Sequence, residues 1–157
     1  MGVQGSSVVV LGASGIVGGA ILRSFLETDT FYCVAPARSA SSRQWVLAEA
    51  AGGGDELPTS AAARLDIPII DYSTSQGAQQ LAAYLREQHG CVRHVVVAAG
   101  GMVPLGELTQ LRLEDCSRVL HERVLSQVLL AQVLTPLLEE SALSTYLIVT
   151  GRLGRYY

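Results

Sequence analysis

Short apolar runs alternate along this chain with longer segments whose apolar residues recur at helical spacing. The runs predict five β-strands, each apolar on both faces, at residues 8–11, 31–35, 67–70, 92–98 and 145–149. The longer segments predict four helices, at residues 16–26, 41–51, 75–89 and 113–140. Ser41 or Ser42 is a plausible cap of the second helix, and residues 52–63 read as an irregular surface loop after three glycines.

The alternation of strands and helices predicts an α/β fold. Strands that are apolar on both faces and joined by helical crossovers form parallel sheets covered by helices on both sides. Right-handed crossovers favour a doubly wound, Rossmann-type sheet of about five strands in the order 3-2-1-4-5. The length of 157 residues fits one domain, residues 1–157.

A glycine-rich turn joins the first strand to the first helix. Gly12 allows a sharp turn out of the strand, Gly15 lets backbone approach a pyrophosphate, and Gly18 lets the helix pack against the sheet. The helix that follows offers free N–H groups and a partial positive charge to phosphates. The turn therefore predicts a dinucleotide site, the alternative being a tight turn with no ligand.

Two other glycine motifs are excluded. A phosphate-binding P-loop needs a lysine, and the chain contains none. A nucleophile elbow needs glycine two residues after its serine, but Ile16 stands two residues after Ser14.

The residues at the end of the second strand indicate which form of the cofactor, NAD(H) or NADP(H), is preferred. NAD sites usually place an acid there to bind the ribose hydroxyls, whereas this segment has Arg38 and Ser39 and no acid. A guanidinium can pair with a 2′-phosphate through two hydrogen bonds. We therefore expect NADP(H) to be preferred, with NAD(H) possible. The alternative is a solvated surface arginine.

Composition and charge exclude several classes of function. The net charge is −3 without a basic patch, which argues against nucleic acid, and no apolar run is long enough to span a membrane. Three scattered cysteines suggest reduced thiols and a cytoplasmic location. Met1, Gly2 and Ser6 match a myristoylation pattern, but a flexible start before the first strand is the favoured explanation. His89, Cys91 and His94 point in different directions, so no metal site is expected.

Several motifs occur in the order found in the short-chain dehydrogenase/reductase family, which this sequence resembles over nearly its whole length. The glycine turn is similar to that of the family's extended or divergent members. Asp71-Tyr72 resembles the acid position after the third strand, and residues 98–101 resemble its Asn-Asn-Ala-Gly turn with alanine for both asparagines. Residues 113–120 resemble the opening of the long helix, and residues 145–154 the fifth strand with its serine loop.

The resemblance implies a set of cofactor-binding residues. Those lining the pyrophosphate would be Gly12, Ser14, Gly15, Ile16, Val17 and Gly18. Asp71 and Tyr72 would flank the adenine, the turn of Ala98, Ala99 and Gly100 would pass under a ribose, and Thr150 would lie near the nicotinamide. Asp71 could instead cap the next segment, and the turn could simply end its strand.

The resemblance also implies a reaction, hydride transfer between nicotinamide and a small carbonyl or alcohol. The family's Tyr-x-x-x-Lys pair has no counterpart because the chain has no lysine, its serine position falls on Gly151, and its helix asparagine falls on Arg123. We therefore expect no catalytic residues here and a missing C-terminal catalytic portion. The alternatives are a non-catalytic dinucleotide-binding module or sensor, or a truncated product.

The long helix at 113–140 is apolar over more than one face. One stripe is formed by Leu120, Val124, Gln127, Leu130 and Leu134. A helix with two apolar faces usually buries both, so we expect a homodimer through this helix unless its own chain covers it. Pro136 is expected to kink or end it. The outer edge of the fifth strand, at residues 147–149, is expected to be bare.

Overall fold

The computed structural model describes residues 6–54, 56–100, 108–110 and 112–150 of the 157. Its strands are β1 (Ser7–Leu11), β2 (Tyr32–Val34), β3 (Leu65–Asp66), β4 (His94–Val97) and β5 (Thr145–Ile148). Its helices are α1 (Ile16–Glu27), α2 (Ala40–Ala51), α3 (Thr59–Ala62), α4 (Ser75–Gln88), α5 (Leu113–Leu120) and α6 (Ser126–Leu134). The myristoylation pattern begins outside the described residues.

The five strands form one parallel sheet in the order β3-β2-β1-β4-β5. This confirms the doubly wound order predicted from the sequence. Val9 of β1 stands at the centre, in register with Val34 of β2 on one side and Val95 of β4 on the other. Because every strand runs the same way, the carboxyl ends of β1, β2 and β4 meet at one edge of the sheet.

Successive residues of the strands point to opposite faces of the sheet and are buried in two separate cores. Val9 and Val95 face a core completed by Leu81 of α4 and Leu130 of α6. Val8 and its same-face neighbours meet a second core, completed by α1, α2 and α3. All five side chains of β1 are buried, as a central strand of a two-sided parallel sheet requires.

The third strand begins two residues before the predicted start. Pro68 lies inside the predicted range and has no backbone N–H to donate to a ladder. The regular strand therefore stops at Asp66, and pairing resumes only as a single bridge between Ala37 and Ile69. The apolar run was a correct sign of a buried edge segment but its bounds were wrong.

Two further local predictions are corrected. The loop at 52–63 contains helix α3, which begins after Pro58, and proline at a helix start removes an N–H that would otherwise be unpaired. The cap of α2 is Ser39, not Ser41 or Ser42. Its hydroxyl accepts from the N–H of Ser42, whose own hydroxyl accepts from the N–H of Ser39.

The long helix predicted at 113–140 is interrupted. A π-helical turn, His121–Leu125, joins α5 to α6, and a 3-10 turn, Thr135–Leu137, ends the segment at Pro136 as expected. The predicted apolar stripe divides at the π turn. Leu130 and Leu134 are buried against the sheet, whereas Leu120 and Val124 are about half exposed.

Strand β5 is an edge of the sheet, as predicted. Leu147 and Ile148 are exposed, at 52% and 40% of their surface, and Val149 follows at 38%. No helix in the described part of the chain is long and apolar enough to cross a membrane.

Candidate functional site

The glycine turn forms the first part of the site at the carboxyl end of β1. Gly12 has a left-handed backbone (φ +83°), and the N–H of Gly15 donates to its carbonyl over 3.1 Å. A Cβ on Gly12 would lie 2.6 Å from the backbone nitrogen of Ala99. The turn is thus pressed against the backbone that follows β4, and only glycine satisfies both constraints.

Helix α1 starts at this turn with an open N-terminus. Its N-cap is Gly15, which makes no side-chain cap hydrogen bond, and no acidic residue lies in its first turn. The first N–H groups of α1 therefore remain available to an external acceptor. A Cβ on Gly18 would overlap the carbonyl of Gly12, so the role of Gly18 is to let α1 approach the turn.

Tyr72 contacts the glycine turn through a hydrogen bond. It follows the segment after β3, its side chain is only 6% exposed, and its hydroxyl accepts a hydrogen bond of 3.1 Å from the N–H of Gly12. Burial raises the pKa of the Tyr72 phenol, while the nearby guanidinium of Arg38 opposes that shift. The hydroxyl is therefore protonated at neutral pH.

The π turn supplies the wall opposite the glycines. The N–H of Ser126 donates to the carbonyl of His121, five residues back, so the carbonyl of Glu122 loses its usual α-helical partner. The hydroxyl of Ser126 replaces that partner, donating over 2.8 Å. At the next residue, the side-chain amide of Gln127 donates to the carbonyl of Ala99 and links α6 to the end of β4.

These parts enclose a cavity of about 440 Å³, within the range of small-molecule sites. Its lining residues are Gly12, Ser14, Gly15, Arg38, Tyr72, Ser73, Ala98, Ala99, Gly100, His121, Glu122, Ser126 and Leu130. The open helix terminus and Arg38 attract anions, whereas Leu130 and the two alanines add an apolar part to the lining.

The structure brings most of the predicted site residues to this cavity. Those that line it are Gly12, Ser14, Gly15, Arg38, Tyr72, Ala98, Ala99 and Gly100. Ile16 and Val17 are exposed in the first turn of α1, beside the cavity rather than in its lining. Thr150 is exposed beyond the end of β5.

Two predicted residues have their polar groups engaged elsewhere. The carboxylate of Asp71 accepts from both the N–H and the hydroxyl of Ser73, so it closes a local turn, and Asp71 does not line the cavity. Ser39 caps α2. Both residues were expected to contact the cofactor. In the structure each side chain makes hydrogen bonds to groups two or three residues away.

Sequence reasoning missed the residues of the second wall. His121, Glu122 and Ser126 line the cavity, with Ser73 and Leu130 beside them. The sequence sign that could have found them is the run of three ionisable residues, His121 to Arg123, in the middle of the helical segment. The π register that turns them toward the glycines has no sequence pattern of its own.

Among the comparisons with known proteins, only the one with solved structures found matches. Neither protein-family models nor curated proteins match the sequence. The structure is similar to the KRED1-Pglu enzyme (TM-score 0.74, 25% identity), which it matches over 92% of this chain and 56% of that one. It is equally similar to a protein described as a short chain dehydrogenase from Pseudomonas syringae (TM-score 0.72, 25% identity, 91% and 56% of the two chains). L-Sorbose reductase from Gluconobacter frateurii, solved with NADPH and L-sorbose, shares the fold at TM-score 0.68 and 20% identity over 87% and 48%.

The chain has a short-chain dehydrogenase-like fold. It spans just over half the length of the first two of these structures. Arg123, the residue predicted at the position of the family's helix asparagine, approaches Gly100 closely enough that a Cβ there would lie 2.9 Å from its guanidinium. The position predicted for the family's serine, Gly151, lies outside the described residues.

Proposed function

We propose that the chain binds a nicotinamide dinucleotide in the cavity, with the pyrophosphate at the glycine turn. The observation that carries the proposal is the open N-terminus of α1, which has no cap of its own and faces the cavity beside Gly12. Gly15 lies at the same place, exposed, with no atom nearer than 3.5 Å to the position of a Cβ. The residues present therefore fit the diphosphate of such a group.

The preferred form in this proposal is NADP(H). Arg38 lines the cavity at the end of β2, where an acid would favour NAD(H), and its guanidinium can pair with a ribose 2′-phosphate. Ser39 supports this arrangement indirectly, since capping α2 fixes the backbone next to Arg38. NAD(H) remains a weaker ligand because the diphosphate site serves both forms.

The proposal is tested by titration calorimetry with NADPH and, in parallel, NADH. We expect wild-type protein to bind NADPH more tightly, and Arg38→Ala to weaken NADPH binding about tenfold or more while changing NADH binding less than about twofold. Arg43→Ala is the matched control, since Arg43 is an exposed arginine of α2 that does not line the cavity. Equal affinities for both cofactors, unchanged in Arg38→Ala, would contradict the preference.

The reaction proposed from the resemblance is NADP(H)-linked redox on a small carbonyl or alcohol, where the nicotinamide supplies or accepts the hydride. The described residues bind and orient the dinucleotide, and these 157 residues hold no Tyr-x-x-x-Lys pair to move the proton. A non-catalytic binding module or sensor is therefore the second candidate. NADPH oxidation with a panel of small carbonyl compounds separates the two, because only the enzyme consumes NADPH.

A homodimer is proposed through the helical segment after β4. The exposed apolar side chains of α5, the π turn and α6 are Leu113, Leu120, Val124, Leu125 and Val128. A patch of this kind on one face of the molecule is typical of a protein interface. Light scattering at micromolar concentration should give twice the mass of the chain, and a monomer would count against the proposal.

A further inference from the structure

The hydroxyl of Tyr72 accepts one hydrogen bond but donates none to the described residues. A phenol hydroxyl can accept and can donate, and Tyr72 accepts from the N–H of Gly12. Among the described residues, no acceptor lies within hydrogen-bond distance of its proton. The side chain is more than nine-tenths buried and its residue lines the cavity, so the free proton belongs to the site and not to bulk solvent.

A buried donor without an acceptor is unfavourable, and its surroundings decide which acceptor suits it. The glycine turn with the open terminus of α1 lines the same cavity as Tyr72, and the guanidinium of Arg38, also in that lining, acts on the phenol. Both attract anions. Asp71 is the nearby acid, but its carboxylate is held by Ser73 in a local turn.

The bond from Gly12 also strengthens the phenol as a donor. A hydroxyl that accepts a hydrogen bond becomes polarised and donates more strongly, as in other hydrogen-bonded chains. The N–H of Gly12 is itself donated to the Tyr72 hydroxyl. Its effect on a ligand must therefore pass through the phenol.

We propose that Tyr72 is a phosphate-binding residue, whose hydroxyl donates to a phosphate oxygen of the ligand between the glycine turn and Arg38. The inference rests on the proposed dinucleotide site and adds a residue to it that the resemblance placed only beside the adenine. The phosphate is either the pyrophosphate or one on the adenosine ribose, and both present the same anionic oxygens.

The test compares wild type with Tyr72→Phe, which removes the hydroxyl and keeps the ring in the core. Three ligands are titrated: ADP, which carries the pyrophosphate, 2′-AMP, which carries only the ribose phosphate, and adenosine, which carries neither. We expect Tyr72→Phe to weaken ADP or 2′-AMP about tenfold, the one affected identifying the phosphate, and to change adenosine less than about twofold. Tyr84→Phe is the control, since its hydroxyl bonds to Asp66 away from the cavity.

The outcomes separate the two proposals. Equal weakening of all three ligands would mean that Tyr72 only shapes the turn, and unchanged affinities would mean that the phenol does not meet the phosphate. Either result overturns the inference and leaves the dinucleotide site standing. If folded wild-type protein binds none of the ligands, the proposed function itself fails.

A second measurement needs no variant. Inorganic pyrophosphate and inorganic phosphate are transparent where tyrosine absorbs, so each can be added to wild-type protein while the tyrosine spectrum is recorded. A saturable red shift is expected with one of these anions, because donation to an anion perturbs the phenol. Absence of any shift at saturating concentrations of both would overturn the inference even if Tyr72→Phe failed to fold.

Discussion

The two walls of the cavity are built in different ways. The first wall, the glycine turn with Tyr72 and Arg38, follows the ends of β1, β2 and β3 and consists mainly of backbone held in tight contact. The second wall, the π turn with Ser126 and Leu130, belongs to a helix whose register changes where it meets the cavity. The first wall is fixed at Gly12, where no other residue fits, whereas the second depends on a local choice between two hydrogen-bond patterns.

This difference has a consequence for how each wall responds to substitution. At the first wall an added methyl group meets backbone, which cannot move without displacing a central strand. At the second wall a lost hydroxyl lets the helix return to an α register at modest cost. We expect a large effect on stability at Gly12 of the first wall and a smaller effect on stability and binding at Ser126 of the second.

The largest effect is expected for Gly12→Ala, with Gly53→Ala as its matched control. The two glycines have nearly the same left-handed φ, +83° and +81°, but a Cβ meets backbone only at Gly12 and finds nothing within 4 Å at Gly53. The control should lose about 1–2 kcal/mol of unfolding free energy from backbone strain alone, and Gly12→Ala about 2–5 kcal/mol. Urea denaturation measures both, and equal losses would contradict the contact with Ala99.

An intermediate effect is expected for Asp66→Asn, a residue of neither wall. Burial alone would raise the pKa of Asp66, but hydrogen bonds from His89 and Tyr84 outweigh burial and hold it below its ordinary value. A lowered pKa stabilises the fold above the unfolded carboxyl's pKa, about 3.9, and the contribution is lost as pH falls through the folded pKa. The variant should therefore be less stable at pH 7 by about 1–2 kcal/mol, after allowing for partial exposure.

The pH dependence of that difference is its check. Thermal or urea unfolding of wild type and Asp66→Asn should converge as the pH is lowered below about 4. NADPH binding at pH 7 should stay within about twofold of wild type, since the residue does not line the cavity. A stability difference that grew toward low pH would contradict the assigned sign.

The smallest effect is expected for Ser126→Ala, compared with Ser24→Ala. Both hydroxyls donate to a carbonyl four residues back, over 2.8 Å in the π turn and 3.0 Å in regular helix α1. In the π turn the hydroxyl replaces the backbone partner that the carbonyl has lost, whereas in α1 the carbonyl keeps its helical partner. We therefore expect Ser126→Ala to lower the unfolding free energy by about 1 kcal/mol and Ser24→Ala by less than about 0.5 kcal/mol. NADPH titration should show weaker binding for Ser126→Ala alone, and identical behaviour would remove the distinction between the walls.

Much of the site was accessible from local sequence. Gly12 and Gly15 were assigned to the turn, and Arg38 to the end of the second strand, because their chemistry depends on a strand and the helix after it. Asp71 and Ser39 were predicted to contact the cofactor; the structure adds a local role for each, since Asp71 accepts from Ser73 and Ser39 caps α2. The second wall escaped prediction because a single π turn of five residues is too short to change the apolar periodicity of the helix around it.

The sequence by itself determined the order of elements, the parallel sheet and the glycine turn. Each follows from short-range demands: alternation of apolar runs, chain handedness, and backbone angles that only glycine adopts readily. Only the tertiary structure decided that Tyr72 reaches Gly12 sixty residues away, or that Ser126 faces the glycines. Those contacts depend on where separate elements pack, because the angle and register at which a helix crosses the sheet are set by all its neighbours together.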